Sequence, residues 1–364
     1  MKNFTGFMMP LIKKLQSNKK RWFRILLFFI IFAAFIYIAG EVEETLFLKA
    51  NSPNKIVQKK FNEFAKLEDN TIEIAFLGSS HCESSYYPKI VEDKWGINCM
   101  NMGTSNQSPF ESYAIYTHIM QTQQPKVLII DTYFRMFENN SFMKKIFLSD
   151  IVPHFSTDTI KEMKQNFSTG HLFCYNIKYL RYQTLFRNFI SEYARKLASL
   201  HEEESDMPEN NTSPGMISEN DLVYYKGYAN KNQIVSTNEL YRNNHFIDYS
   251  CYLLPSQLDL LGSLIEKAQR DGVNIILVSS PLPQISIDNI QNYDYIYESF
   301  ASVSQKYSVP YIDYNIINET EHLFQEQHFK DDNHLNVKGS QIMTKDLVNR
   351  LSFLWDDAYP WGDQ

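Results

Sequence analysis

The sequence predicts an α/β domain, a parallel sheet with helices on both faces, and three observations carry this expectation. Short β-branched apolar runs alternate with helical patterns, the order that builds parallel sheets. The run "KVLIIDTYF" (126–134) is apolar at consecutive positions, as in a strand buried on both faces. The segment "PSQLDLLGSLIEKAQRDG" (255–272) reads as an amphipathic helix that stops at Gly272 and feeds a further strand.

The 364-residue chain begins with a basic leader. Of 35 Lys and Arg, seven (Lys2, Lys13, Lys14, Lys19, Lys20, Arg21 and Arg24) fall in residues 1–40, which hold no acid. The other 28 face all 42 acidic residues, a formal charge of −14 that argues against nucleic acid as a partner. The leader runs into "ILLFFIIFAAFIYIAG" (25–40), and residues 22–40 approach the roughly 20 needed to span a bilayer. Positive charge ahead of the apolar run places the N-terminus in the cytoplasm and the rest outside. A cleaved signal peptide is the rival, but Tyr37 or Ile38 would fill the small-residue slot before the cut. The expectation is therefore a single-pass cell-membrane anchor over 1–40, a stalk over 41–70, and one extracytoplasmic domain over 71–364.

Within the stalk, "KKFNEFAKLED" (59–69) predicts a short helix. Strands are expected at 72–78 and 97–103. A helix follows over 108–121, where Ser108 can cap and Pro109 suits the first turn. The third strand is 126–134. After the helix at 255–272 come a fourth strand at 273–281, a helix over about 293–307, a fifth strand in "VPYIDYN", and a closing helix in "VKGSQIMTKDLVNRLSFL". Residues 138–250 break the alternation and predict a large, mostly helical insertion that caps the sheet. Its Tyr/Lys cluster "LVYYKGYANKNQ" could stack on sugar rings or pack against the core. Cys82, Cys99, Cys174 and Cys251 match no zinc spacing, so no metal or cofactor is expected.

In an open parallel sheet, reactive groups collect beyond the carboxyl ends of the strands. The first strand ends in Gly78-Ser79-Ser80, and "HFKDDNHLNVKG" places Asp331 three residues before His334. An Asp-x-x-His turn can orient an imidazole and leave its other nitrogen free to take a serine proton. Ser80 is thus the nucleophile candidate. Asp332 competes with Asp331 but reads as a solvated or helix-capping residue. His81 suits a local polar role, and Cys82 a small half-buried one. Ser279 and Ser280 could line a pocket or serve the turn before Pro281.

"IAFLGSSHC" together with "DDNHLNVKG" resembles the SGNH (GDSL-like) hydrolase superfamily, over about 72–121 and 271–351. On a membrane-anchored chain, the Gly-Ser-Ser variant is similar to its extracytoplasmic branches, such as teichoic-acid D-alanine transfer and alginate O-acetylation proteins. The resemblance implies a flavodoxin-like three-layer α/β/α fold with five parallel strands. It also implies a Ser80–His334–Asp331 triad, and an oxyanion held by the backbone N–H groups of Ser80 and Asn106. The implied reaction is ester hydrolysis or acyl transfer on cell-envelope carbohydrate, with a membrane O-acyltransferase as partner. The alternative is a non-catalytic assembly or carbohydrate-binding component. The family's Gly-x-Asn-Asp block is missing after the third strand, which removes one donor worth about 10²–10³ in rate. Tyr133 and Arg135 are the side chains there that could take its place.

Overall fold

The computed structural model describes residues 21–42, 52–138, 177, 179–180 and 221–352. The chain divides into two units, one carrying the N-terminal helix and the other the α/β body. In the first unit Arg21–Val42 forms a continuous helix, α1. Its 22 residues extend about 33 Å, long and apolar enough to cross the roughly 30 Å core of a bilayer.

The body is a five-stranded parallel sheet. In chain order its strands are β1 (Ile74–Leu77), β2 (Cys99–Asn101), β3 (Val127–Asp131), β6 (Asn274–Ser279) and β7 (Tyr311–Asp313). They lie side by side as β2-β1-β3-β6-β7. Every residue of β1 and of β3 is buried, which is why these runs are apolar without alternation. Side chains still alternate between faces. Ile74, Phe76, Val127, Ile129, Ile276 and Val278 join one core cluster. That face is covered by α3 (Ser80–Ser85), α4 (Pro88–Trp95) and α11 (Val337–Arg350), which pack on one another. The other face carries α5 (Pro109–Ile119), α7 (Pro255–Arg270) and α9 (Tyr293–Tyr307). The shorter helices α6 (Thr237–Tyr241), α8 (Gln284–Asp288) and α10 (Tyr314–Glu321) complete the body. This is the three-layer architecture expected from the sequence, with each strand shorter by a few end residues.

Chain direction reverses at β1, since β2 lies on one side of it and β3 on the other. That reversal opens a crevice beyond the carboxyl ends of β1 and β3. The local chemistry of α5 follows its sequence. The Ser108 hydroxyl accepts from the Glu111 N–H, and the Glu111 carboxylate accepts from the Ser108 N–H, a reciprocal capping box.

Two segments differ from expectation. The helix before β1, α2 (Ser52–Phe64), starts earlier than expected and packs into the body rather than standing off as a polar stalk. Val57, Lys60, Phe61 and Phe64 are all buried. The Lys60 ammonium, with no exposed side-chain surface, pairs with Glu83 at 3.0 Å and donates to the Gly103 carbonyl. A partner 23 residues away supplies what the local sequence lacks.

The insertion is the second. Its main described part, 221–250, opens with a β-hairpin, β4 (Leu222–Tyr225) and β5 (Tyr228–Lys231), followed by α6; 139–176, 178 and 181–220 lie outside the described residues, so the helical expectation is not addressed there. The two-residue turn Lys226-Gly227 has positive φ at both positions (43° and 85°), the type I′ geometry that matches strand twist. Its tip meets the sheet edge, where the Asn101 N–H donates to the Lys226 carbonyl at 3.0 Å. Only glycine fits at 227, because a Cβ would lie 1.8 Å from the Asn101 oxygen. Tyr228 stacks on Tyr87 with centroids 4.3 Å apart, and its hydroxyl meets Ser340 Oγ at 2.6 Å. These aromatics are therefore spent on packing.

Candidate active site

β1 leaves the sheet through Gly78, whose φ of 148° and close neighbours admit no side chain. A Cβ there would fall 2.7 Å from Asp131 Cβ and 2.9 Å from Cys82 Cβ. Ser79 then caps α3, its hydroxyl accepting from the His81 N–H at 3.2 Å. Ser80 is the first helical residue, so its own N–H has no acceptor within the helix. Asn101 at the end of β2 fastens this short helix: its amide donates to the Cys82 and Tyr86 carbonyls at 2.8 and 2.9 Å.

The Ser80 hydroxyl meets His334 Nε2 at 2.8 Å. His334 Nδ1 lies 3.0 Å from both oxygens of Asp331. Asp331 Oδ1 also accepts the backbone N–H groups of Asn333 (2.8 Å) and His334 (2.6 Å), closing the turn. A carboxylate accepts only, so the His334 proton sits on Nδ1 and the Nε2 lone pair faces Ser80. Burial raises the Asp331 pKa, but the electrostatic attraction of the neighbouring His334 ring and the hydrogen bonds from its Nδ1–H and backbone N–H outweigh this and hold it well below the usual range. The turn is anchored at both ends. Phe329 and Leu335 form an antiparallel bridge, and Asn336 caps α11 by accepting from the Gly339 N–H at 3.0 Å.

The crevice thus brings together Ser80, His334 and Asp331 from opposite ends of the chain. Other candidates fall differently. Asn106 is exposed, with φ 49°, in a turn closed by Gln107 N–H to the Thr104 carbonyl at 3.1 Å. The Thr104 N–H in turn donates to the Gly78 carbonyl at 3.0 Å, tying this loop to the strand that carries Ser80. Tyr133 stacks face to face on His81 (3.7 Å), and its hydroxyl donates to Asn333 Oδ1 at 2.8 Å. Arg135 lies over the rings of Phe246 and Tyr249, with Glu138 at 4.0 Å. Ser280 is buried and donates to Asp131.

Asp332 is neither solvated nor a helix cap. It is buried, and its carboxylate accepts from the His245 backbone N–H and faces His245 Nδ1 at 2.9 Å. The cap is Asn336 instead. Cys82 is fully buried, and burial pushes its thiol pKa well up, which leaves it unreactive. Cys99 and Cys251 are likewise free and buried, while Cys174 lies outside the described residues. Among the described residues no cluster of His, Cys, Asp or Glu could hold a metal.

Sequence reasoning missed two groups here. Asp131, at the carboxyl end of β3, is buried and accepts from Tyr86 and Ser280; burial raises its pKa to about 6. Its position at the end of an apolar strand was the available signal. The second is Asn333, which joins His81 to Tyr133. Nothing in its sequence neighbourhood marks it beyond its place inside the Asp-x-x-His turn.

No protein-family model matches the chain, and no curated protein does. Among solved structures, it is similar to a GDSL-like lipase from Bacteroides thetaiotaomicron, with 11% identity and a TM-score of 0.39 over 82% of this chain and 98% of that one. It is also similar to a catalytic mutant of an acetylxylan esterase from Geobacillus stearothermophilus, with 10% identity and a TM-score of 0.37 over 81% and 100% of the two chains. A Bacteroides fragilis protein assigned as an acylhydrolase gives 10% identity and a TM-score of 0.41 over 84% and 99%.

Proposed function

We propose that the chain is a serine acyl-ester enzyme of the SGNH type, a hydrolase or acyltransferase acting on acyl groups of cell-envelope carbohydrate from a single-pass membrane anchor. The observation that carries this reading is the hydrogen-bonded line from Ser80 Oγ through His334 to Asp331, with contacts of 2.8 and 3.0 Å. Ser80 attacks the ester carbonyl while His334 Nε2 takes its proton. The imidazolium, steadied by Asp331, then gives that proton to the departing alcohol. Water or a carbohydrate hydroxyl, deprotonated in the same way, releases the acyl group and restores Ser80. The Ser80 N–H and a donor from the Asn106 loop hold the oxyanion.

A fluorophosphonate probe is expected to modify the ectodomain, residues 41–364, at Ser80. Ser80→Ala and His334→Ala abolish this labelling. A folded ectodomain that never reacts would point to the non-catalytic assembly or carbohydrate-binding role.

The apolar length of α1 and the basic residues before it support the anchor. Full-length protein is expected to remain with membranes, its C-terminal domain open to external protease. A soluble form beginning near Glu41 would show that the segment is removed instead.

A further inference from the structure

We propose that the side-chain amide of Asn333 donates a hydrogen bond to the oxyanion formed when Ser80 attacks, an inference that rests on the serine-enzyme reading above. Three observations lead to it. First, Asn333 Oδ1 is occupied twice, by His81 Nε2 at 3.0 Å and by the Tyr133 hydroxyl at 2.8 Å. With Oδ1 accepting both contacts, the NH2 of the amide is turned away from both rings. No described residue accepts from that NH2.

Second, the amide is held beside the reacting groups. Asn333 directly precedes His334, and its backbone N–H is fixed on Asp331 Oδ1 at 2.8 Å. His81 directly follows Ser80, and its ring lies 4.6 Å from that of His334. Burial and the neighbouring His334 keep His81 neutral, with its pKa well below the ordinary value. With Asn333 Oδ1 as the acceptor, the one N–H of His81 sits on Nε2, and Tyr133 stacks on its ring.

Third, four side-chain donors nearby are already engaged. His81 Nε2–H and the Tyr133 hydroxyl both end on Asn333, Ser280 donates to Asp131, and Asn101 donates to the carbonyls of α3. Tetrahedral intermediates need preorganised donors where negative charge develops, and one such donor is worth about 10²–10³ in kcat. In this crevice the clamped Asn333 amide fills that place, so Tyr133 and His81 act on it as positioning residues.

The test uses the ectodomain, p-nitrophenyl acetate and a fluorophosphonate, whose phosphoryl oxygen occupies the oxyanion position. Asn333→Ala and Asn333→Asp are expected to lower kcat about 10²–10³-fold with little change in KM. Fluorophosphonate labelling should slow in parallel. Tyr133→Phe, which removes one of the two orienting donors, should cost only a few-fold. In an isotope-edited infrared spectrum of the acetyl-enzyme, losing the donor should move the ester carbonyl stretch to higher frequency. Wild-type kcat in both Asn333 variants, with Ser80→Ala inactive, would overturn the inference and leave the serine assignment standing. A fall in kcat without the infrared shift would also overturn it, assigning Asn333 a positioning role only. Activity or labelling that survives in Ser80→Ala would instead remove the serine-enzyme reading itself.

Discussion

Replacing Asp331 with Asn is expected to cut turnover about 10⁴-fold while leaving the fold intact. The reason is the tautomer. Asp331 Oδ1 accepts two backbone N–H groups, so the oxygen of an asparagine would keep that side. Its NH2 would then face His334 Nδ1, which must give up its proton to accept. The proton moves to Nε2, toward the Ser80 hydroxyl, and no base remains in the position that is now 2.8 Å from Ser80 Oγ. Shape is conserved, so the melting transition should change little beyond the loss of one charge pair. The measurement is kcat for p-nitrophenyl acetate together with the fluorophosphonate labelling rate and the melting curve. A variant that labelled at the wild-type rate would show that Asp331 does not set the histidine tautomer.

The second large effect is on stability. Lys60→Ala takes from Glu83, with 14% of its side chain exposed, the ammonium it pairs with at 3.0 Å, and leaves the Gly103 carbonyl without its ammonium donor. Stripping one partner from a buried pair costs about 3–5 kcal/mol. For a domain of this size, that corresponds to a drop in Tm on the order of 10 °C. The double variant Lys60→Met with Glu83→Gln should recover much of the loss, because no buried charge is then left alone. Because Glu83 lies on the helix that begins at Ser80, and Gly103 starts the loop leading to Asn106, both flanks of the site should loosen together. A chain beginning at residue 70 lacks α2 and should behave like Lys60→Ala or worse, whereas one beginning at 41 should not. Equal melting temperatures for the two would show that α2 is dispensable.

What could be read from sequence, and what could not, divides along the range of the interactions. β1 and β3 announce themselves because burial on both faces demands uninterrupted apolar residues. The Asp331 and His334 pair is equally legible, since both side chains come from one four-residue turn. The burial of Lys60 is not, because a lysine in a polar stretch looks solvated until Glu83 appears beside it. Asp332 misled for the same reason: its partner His245 is 87 residues away. The hairpin was hidden differently. The Tyr/Lys cluster "LVYYKGYANKNQ" draws attention to its side chains, although its two-residue Lys-Gly turn between β-prone residues carries the hairpin signal.

That hairpin has a consequence for how the protein avoids self-association. β2 is an edge strand, and an unpaired edge is a template for pairing with other chains. The tip at Lys226-Gly227 covers it, taking the Asn101 N–H that a neighbouring molecule's strand would otherwise seek. The opposite edge, β7, is three residues long, the same length as β2. The cover for β2 comes from more than 120 residues later in the chain. During synthesis, β1 and β2 therefore emerge with their sheet edge open, and it closes only after residue 231 has left the ribosome. The vulnerable interval is thus set by the length of the insertion, and shortening it would shorten the time in which the nascent chain can aggregate.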